Sequence, residues 1–243
     1  MKSAYAEVKP LFPMRINKYL AHKGHATRRG VDMLIAAGKV FINGHRAVLG
    51  DKVLEHDVVE VRGAKPKSYV YVAYNKPEGI ITHSAEEGEE DIKGMLAGVP
   101  GAAGLFPVGR LDKDSHGLII LTNDGRITDR LLNPDRMHEK EYVVKTKEHL
   151  RGGFAARMSS GIDIGDYVTK PCRVVRTGDF SFRITLEEGK KHQIRRMVDA
   201  MKNEVADLKR VRIMNIELKK LAPGNLRKIE GEELKTFLAS LGM

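Results

Sequence analysis

The chain has 243 residues, 42% apolar and 30% charged, enough for one large domain or for a small and a medium one. Its 42 Lys and Arg against 32 Asp and Glu leave a net charge of +10, which points to a polyanionic partner, nucleic acid before an anionic membrane. A single cysteine, Cys172, excludes an internal disulfide and reads as a small core residue in a reducing compartment, while no apolar run approaches the ~20 residues of a bilayer-spanning helix.

Residues 1–13, MKSAYAEVKPLFP, have two prolines, no periodicity and no apolar signal core. They are expected to form a loose arm on a cytoplasmic protein. Ile16, Tyr19 and Leu20 then recur at helical spacing in a short helix that ends near Gly24. Thr27 can cap a second helix whose inward face is Val31, Leu34 and Ile35, with Gly38 as its stop. Val40–Ile42 and Val58–Val61 read as short strands, and Asn43-Gly44 as a tight turn. Charge is segregated here. Arg15, Lys18, Lys23, Arg28, Arg29, Lys39 and Arg46 face one acid, Asp32, which argues for a phosphate-binding face.

Residues 63–68, GAKPKS, look like a short flexible tether. A strand is expected over Tyr69–Tyr74, a turn at Asn75–Gly79, and a short helix over Asp91–Leu96. The apolar run Leu118–Leu121 reads as a buried strand, followed by Asn123-Asp124-Gly125 capping a helix over Arg126–Leu132. Further strands are expected at Glu141–Lys145, Arg173–Arg176, Ser181–Leu186 and Arg210–Leu218. Ile194, Met197, Val198 and Met201 mark a helix that leaves Arg195, Arg196 and Lys202 off the apolar stripe. A terminal helix carries Leu234, Phe237, Leu238 and Leu241.

The segment GRLDKDSHGLIILTNDG, Gly109–Gly125, places Asp112 between Arg110 and Lys113 at the mouth of the buried strand. A carboxylate entering a core must be paired or hydrogen-bonded. Residue chemistry alone leaves two readings open, a structural ion pair and a nucleophile or general base held ionised by a nearby arginine. Asp112 and Asp114 could also serve a metal-dependent nuclease, but no third carboxylate supports them, and the nine histidines show no metal-ligand spacing. Neither a GxxxxGK[ST] loop nor a GxSxG elbow is present.

This segment closely resembles the GRLDxx(T/S)xGLLLLTNDG signature of bacterial pseudouridine synthases of the RsuA/RluB/RluE/RluF type, with Ser115 for the commoner Thr and Ile119-Ile120 for leucines. Three further blocks agree in order. They are Tyr74-Asn75-Lys76-Pro77 with Gly79, Lys140-Glu141-Tyr142, and Glu188-Gly189-Lys190-Lys191-His192-Gln193-Ile194-Arg195-Arg196-Met197. Residues 14–62 resemble an S4 RNA-binding domain, with Gly24-His25-Ala26-Thr27-Arg28-Arg29 where that domain usually reads GxxSRR. The blocks Ile194–Met197 and Arg212–Asn215 look most like the RluF branch, which modifies large-subunit ribosomal RNA and can also act on a tRNA anticodon loop.

The resemblance implies an α+β protein: an arm (1–13), a small S4-like α/β RNA-binding domain (14–62), a linker (63–68) and a pseudouridine synthase domain (69–243) with a mostly antiparallel mixed sheet around a central cleft. It implies an isomerase without metal or cofactor, most simply a monomer, acting on 23S ribosomal RNA or on tRNA. The alternative is a ribosome-assembly factor with an idle site. By residue, Asp112 matches the catalytic aspartate, Tyr142 the tyrosine that stacks on the target base, and Arg195 the arginine that ion-pairs with that aspartate. RNA contacts are expected from Arg15, Lys18, Arg28, Arg29, Lys76, Arg110, Lys113, Lys190, Lys191 and Arg196.

Overall fold

The computed structural model describes residues 12–63, 68–83 and 88–243. Most of the expected arm and linker lie outside the described residues. Within the arm's last part, the Phe12 ring lies 6.3 Å from that of Tyr19 and packs on the N-terminal core.

The N-terminal unit runs β1 (Met14–Arg15), α1 (Ile16–His22), α2 (Arg28–Ala36), β2 (Val40–Ile42), β3 (His45–Arg46), β4 (Lys52–Val53) and β5 (Val59–Val61). Thr27 caps α2, its hydroxyl accepting the Gly30 N–H at 3.1 Å. Ile16, Leu20, Val31 and Ile35 point into one core, so both helices bury the faces that the spacing predicts. Asn43 and Gly44 adopt φ of 49° and 81°, closing the two-residue turn between β2 and β3.

The larger unit contains β6 (Tyr71–Lys76), α3 (Ile92–Met95), β7 (Phe106–Val108), β8 (His116–Thr122), α4 (Arg126–Leu132), a 3-10 turn (Pro134–Arg136), β9 (Lys140–Thr146), α5 (Phe154–Ser159), β10 (Arg173–Arg176), β11 (Ser181–Leu186), α6 (Gln193–Ala200), β12 (Val205–Ile213), β13 (Ile216–Glu217), β14 (Leu226–Lys228) and α7 (Gly231–Ser240). Its sheet has the order β10-β11-β9-β12-β8-β6-β14, with β13 on β12 and β7 on β8. Every pairing is antiparallel except β12 with β8. The middle of β8, Leu118–Leu121, is apolar at every position because both faces are covered. Leu118 and Ile120 pack with Ile127, Leu131 and Phe237 on one side, and Ile119 and Leu121 with Ile80, Ile92 and Leu96 on the other.

One expectation changes. The strand expected over Arg210–Leu218 is a hairpin, because Met214 takes a φ of 52° and turns the chain between β12 and β13. The two units also touch directly. The Tyr69 hydroxyl donates to the Gly24 carbonyl, and the Arg126 guanidinium stacks 4.2 Å from the Tyr69 ring. Arg126 is itself held by the fully buried Asp124, with bonds of 2.8 Å to each carboxylate oxygen, and Tyr71 donates to the same carboxylate. Burial raises the Asp124 carboxyl, but these donors outweigh burial and hold it below the usual range.

Candidate active site

Asp112 sits in the turn between β7 and β8, and the main chain of that turn is unusually well satisfied. Five successive carbonyls, from Arg110 to Asp114, each accept a hydrogen bond: Arg110 from Arg210 (3.1 Å), Leu111 from the Thr82 hydroxyl (2.7 Å), Asp112 from the Ser115 N–H (3.1 Å), Lys113 from the Gly79 N–H (2.9 Å), and Asp114 from Arg195 (2.7 Å). Thr82 also accepts the Leu111 N–H at 3.1 Å. The donors come from β12, α6, the segment after β6 and the turn itself, so the arch is tied to several elements at once. Its carboxylate remains accessible, with 39% of the Asp112 side chain exposed.

The crossing of β8 and β12 sets the height of this arch. Gly117 pairs with Arg210 in the parallel register. It has a φ of +106°, and a Cβ there would lie 2.3 Å from the Arg210 carbonyl oxygen. Only glycine permits both the conformation and the approach. Arg210, 3% exposed, then reaches back to the Leu118 carbonyl at 2.7 Å and to Arg110. Its register partner on β9 is Tyr142, which is half-buried against the core that contains Val144, Ile184 and Ile194. Glu141, alongside, bonds Arg212 (2.9 Å) and Arg183 (2.8 Å), which fixes β9 at the tyrosine.

Three expected roles are corrected by this geometry. Arg195 does not pair with the Asp112 carboxylate. It donates to the Asp114 carbonyl and lies 3.3 Å from the Ser115 hydroxyl, so it clamps the main chain. Lys76 is not free for RNA phosphate. It is fully buried, and its ammonium donates to the carbonyls of Pro77 (2.8 Å) and Ile80 (2.6 Å), with Lys113 at 3.4 Å. Burial pulls it down to about 8, against the opposing pull of Asp112 and Glu78. Arg196 is likewise engaged, by the Asp166 carboxylate and the Ile164 carbonyl.

The other expected RNA contacts are exposed: Arg15, Lys18, Arg28 and Arg29 on the N-terminal unit, and Arg110, Lys113, Lys190 and Lys191 around the arch and α6. Lys113 pairs with Glu89 at 2.8 Å, a surface contact that a phosphate can replace. Lys190 lies 4.3 Å from the Tyr167 ring centroid. Cys172 is partly buried and its thiol is pushed up to about 11 by burial, as befits an inert core residue. Among the described residues no group of three or more His, Cys, Asp or Glu could hold a metal ion, and no helix is long and apolar enough to cross a membrane.

Sequence reasoning missed Arg210, Thr82 and His192. Arg210 had no signal, because Val211 and Ile213 mark the apolar face by period two and only the register irregularities of β12 turn Arg210 inward. Thr82 had none. His192 Nδ1 lies 3.2 Å from Asp112 Oδ2, placed there by a left-handed backbone (φ 51°) immediately before α6.

Comparison with known proteins gives the family. The family model described as RNA pseudouridylate synthase matches residues 70–200, and the S4 domain model matches residues 14–59. The chain is 42% identical over 226 residues to "Dual-specificity RNA pseudouridine synthase RluF" of Escherichia coli (strain K12), covering 91% of this chain and 77% of the relative. It is 32% identical over 235 residues to "Ribosomal large subunit pseudouridine synthase B" of Bacillus subtilis (strain 168), covering 93% and 96%. A solved structure, "Crystal structure of pseudouridylate synthase", superposes with a TM-score of 0.68 at 27% identity, covering 94% of this chain and 99% of that one. The chain therefore belongs to the RNA pseudouridylate synthase family, carries an N-terminal S4 domain, and is an RNA pseudouridine synthase.

Proposed function

We propose that this enzyme isomerises a specific uridine of structured RNA, foremost 23S ribosomal RNA, with Asp112 as the catalytic carboxylate. The observation that carries the reading is the five-carbonyl arch, which presents one accessible carboxylate on a rigid support. In this reaction the base leaves the sugar at C1′–N1, rotates, and is rejoined through C5. Asp112 acts either as nucleophile or as base toward a sugar proton, and both routes need the same fixed carboxylate. Tyr142 stacks on the extruded base, recovering ~1–3 kcal/mol of the unstacking energy. Arg195 serves by holding the arch.

Residues 14–62 then act as the RNA-binding domain and 69–243 as the catalytic domain. Arg15, Lys18, Arg28 and Arg29 supply phosphate contacts that position the RNA, joined by Arg110, Lys113, Lys190 and Lys191 near the site. The enzyme works as a cytoplasmic monomer. A tRNA anticodon loop is the second substrate, a reading favoured by the relatives named as dual-specificity enzymes.

The test is pseudouridine mapping by carbodiimide labelling and primer extension on 16S, 23S and tRNA transcripts, with D112N alongside. A new stop in 23S RNA, absent with D112N, is expected. A stop confined to 16S RNA refutes the substrate assignment, and an unchanged stop with D112N refutes the role of Asp112.

A further inference from the structure

The arch fixes the main chain at Asp112 but not the carboxylate, whose two side-chain torsions remain free. Arg195, Lys76 and Arg210 all bind backbone carbonyls around it. Among the described residues, His192 is the one basic side chain paired with the carboxylate itself, Nδ1 to Oδ2 at 3.2 Å. Its placement is built rather than incidental. His192 holds a φ of 51°, a conformation uncommon for residues other than glycine.

The surroundings of His192 form a buried network. The Gln193 amide donates to Glu188 at 2.7 Å, and Gln193 Oε1 accepts the Lys190 N–H at 2.9 Å. Glu188, 7% exposed, is held by the Lys170 N–H at 3.0 Å and the Tyr167 hydroxyl at 2.7 Å. The chain on both sides of His192 is thereby pinned, and α6 begins from it, with the Arg196 N–H on its carbonyl at 3.0 Å.

We propose that His192 is a positioning residue, whose Nδ1 pairs with Asp112 Oδ2 and so turns Oδ1 toward the nucleotide. A carboxylate restrained in this way meets the sugar in one orientation. This rests on the reading of Asp112 as the catalytic carboxylate.

The test measures tritium release from [5-3H]uridine-labelled ribosomal and transfer RNA, taken from cells lacking the enzyme, by the parent, D112N, H192G, H192A and H192N. Glycine accepts the left-handed backbone without strain, so H192G removes the side chain and spares the turn. Asparagine also tolerates that backbone and carries an N–H near the position of Nδ1. H192G and H192A are expected to lower the maximal rate about 10- to 100-fold, with the half-saturating RNA concentration within about threefold. H192N is expected to stay within about threefold of the parent.

H192G as fast as the parent, while D112N is inactive, overturns the proposal and leaves the reading of Asp112 intact. A loss confined to RNA affinity, or H192N as slow as H192G, also overturns it. D112N as active as the parent refutes the underlying reading instead.

Discussion

Replacing Gly117 by alanine adds one methyl group at the place where the account is most exposed. That Cβ would lie 2.3 Å from the Arg210 carbonyl oxygen and 2.8 Å from its amide nitrogen, both main-chain atoms that cannot rotate away. To restore even 3.0 Å, β12 must move off β8 by about 0.7 Å. Alanine must also adopt a φ of +106° or force the strand out of it. The backbone conformation costs ~1–3 kcal/mol and the overpacking ~1–3 kcal/mol, so G117A should lose about 2–6 kcal/mol of unfolding free energy. The displaced Arg210 would release the Leu118 and Arg110 carbonyls, loosening the arch under Asp112. Urea unfolding followed by tyrosine fluorescence gives the stability, and pseudouridine formation under conditions where G117A remains folded gives the activity. A variant within about 0.5 kcal/mol of the parent and equally active would refute both the close crossing and its role in carrying Asp112.

R195A should lower the rate of pseudouridine formation about tenfold or more with little change in RNA affinity, because it unties the Asp114 carbonyl rather than a phosphate contact; a filter-binding curve and single-turnover rates separate the two. D124A should lose about 3–5 kcal/mol, read by urea unfolding, since it strands the Arg126 guanidinium and the Tyr71 hydroxyl that the buried carboxylate holds. Because the folded-state pKa of Asp124 is depressed, its contribution is present above the unfolded value of 3.8 and is lost as pH falls through the lower folded value, a slope in acid unfolding that D124A should lack. Lys76 titrates at about 8 in the folded chain against 10.5 unfolded, so the unfolded state binds more protons between these values and stability should rise across that window. K76M should abolish this rise, measured as the difference in unfolding free energy between parent and variant.

Much of the fold was legible because burial here follows simple periods. The run Leu118–Leu121 is apolar on both strand faces, and the spacing of Ile194, Met197 and Val198 places α6 in its observed phase. The hairpin at Met214 was invisible because neither glycine nor proline marks it, although its φ is positive. In the site, residue types were readable but their partners were not. Helical phase put Arg195 off the apolar stripe and the resemblance paired it with Asp112, yet neither distinguishes a guanidinium aimed at a carboxylate from one aimed at the carbonyl two residues on. Lys76 looks like a surface cation beside a proline, and only the wrapping of residues 77–80 around its ammonium makes it a buried strut. His192 depends on a left-handed backbone set by Glu188 and Gln193, an arrangement that no local sequence signal announces.

The role of Asp112 is tested most directly by single-turnover tritium release from [5-3H]uridine in RNA that the parent enzyme modifies, at enzyme concentrations where D112N binds that RNA fully. The account predicts one tritium released per modified RNA by the parent and none above background by D112N, with equal RNA affinity. Release by D112N at the parental rate would contradict it.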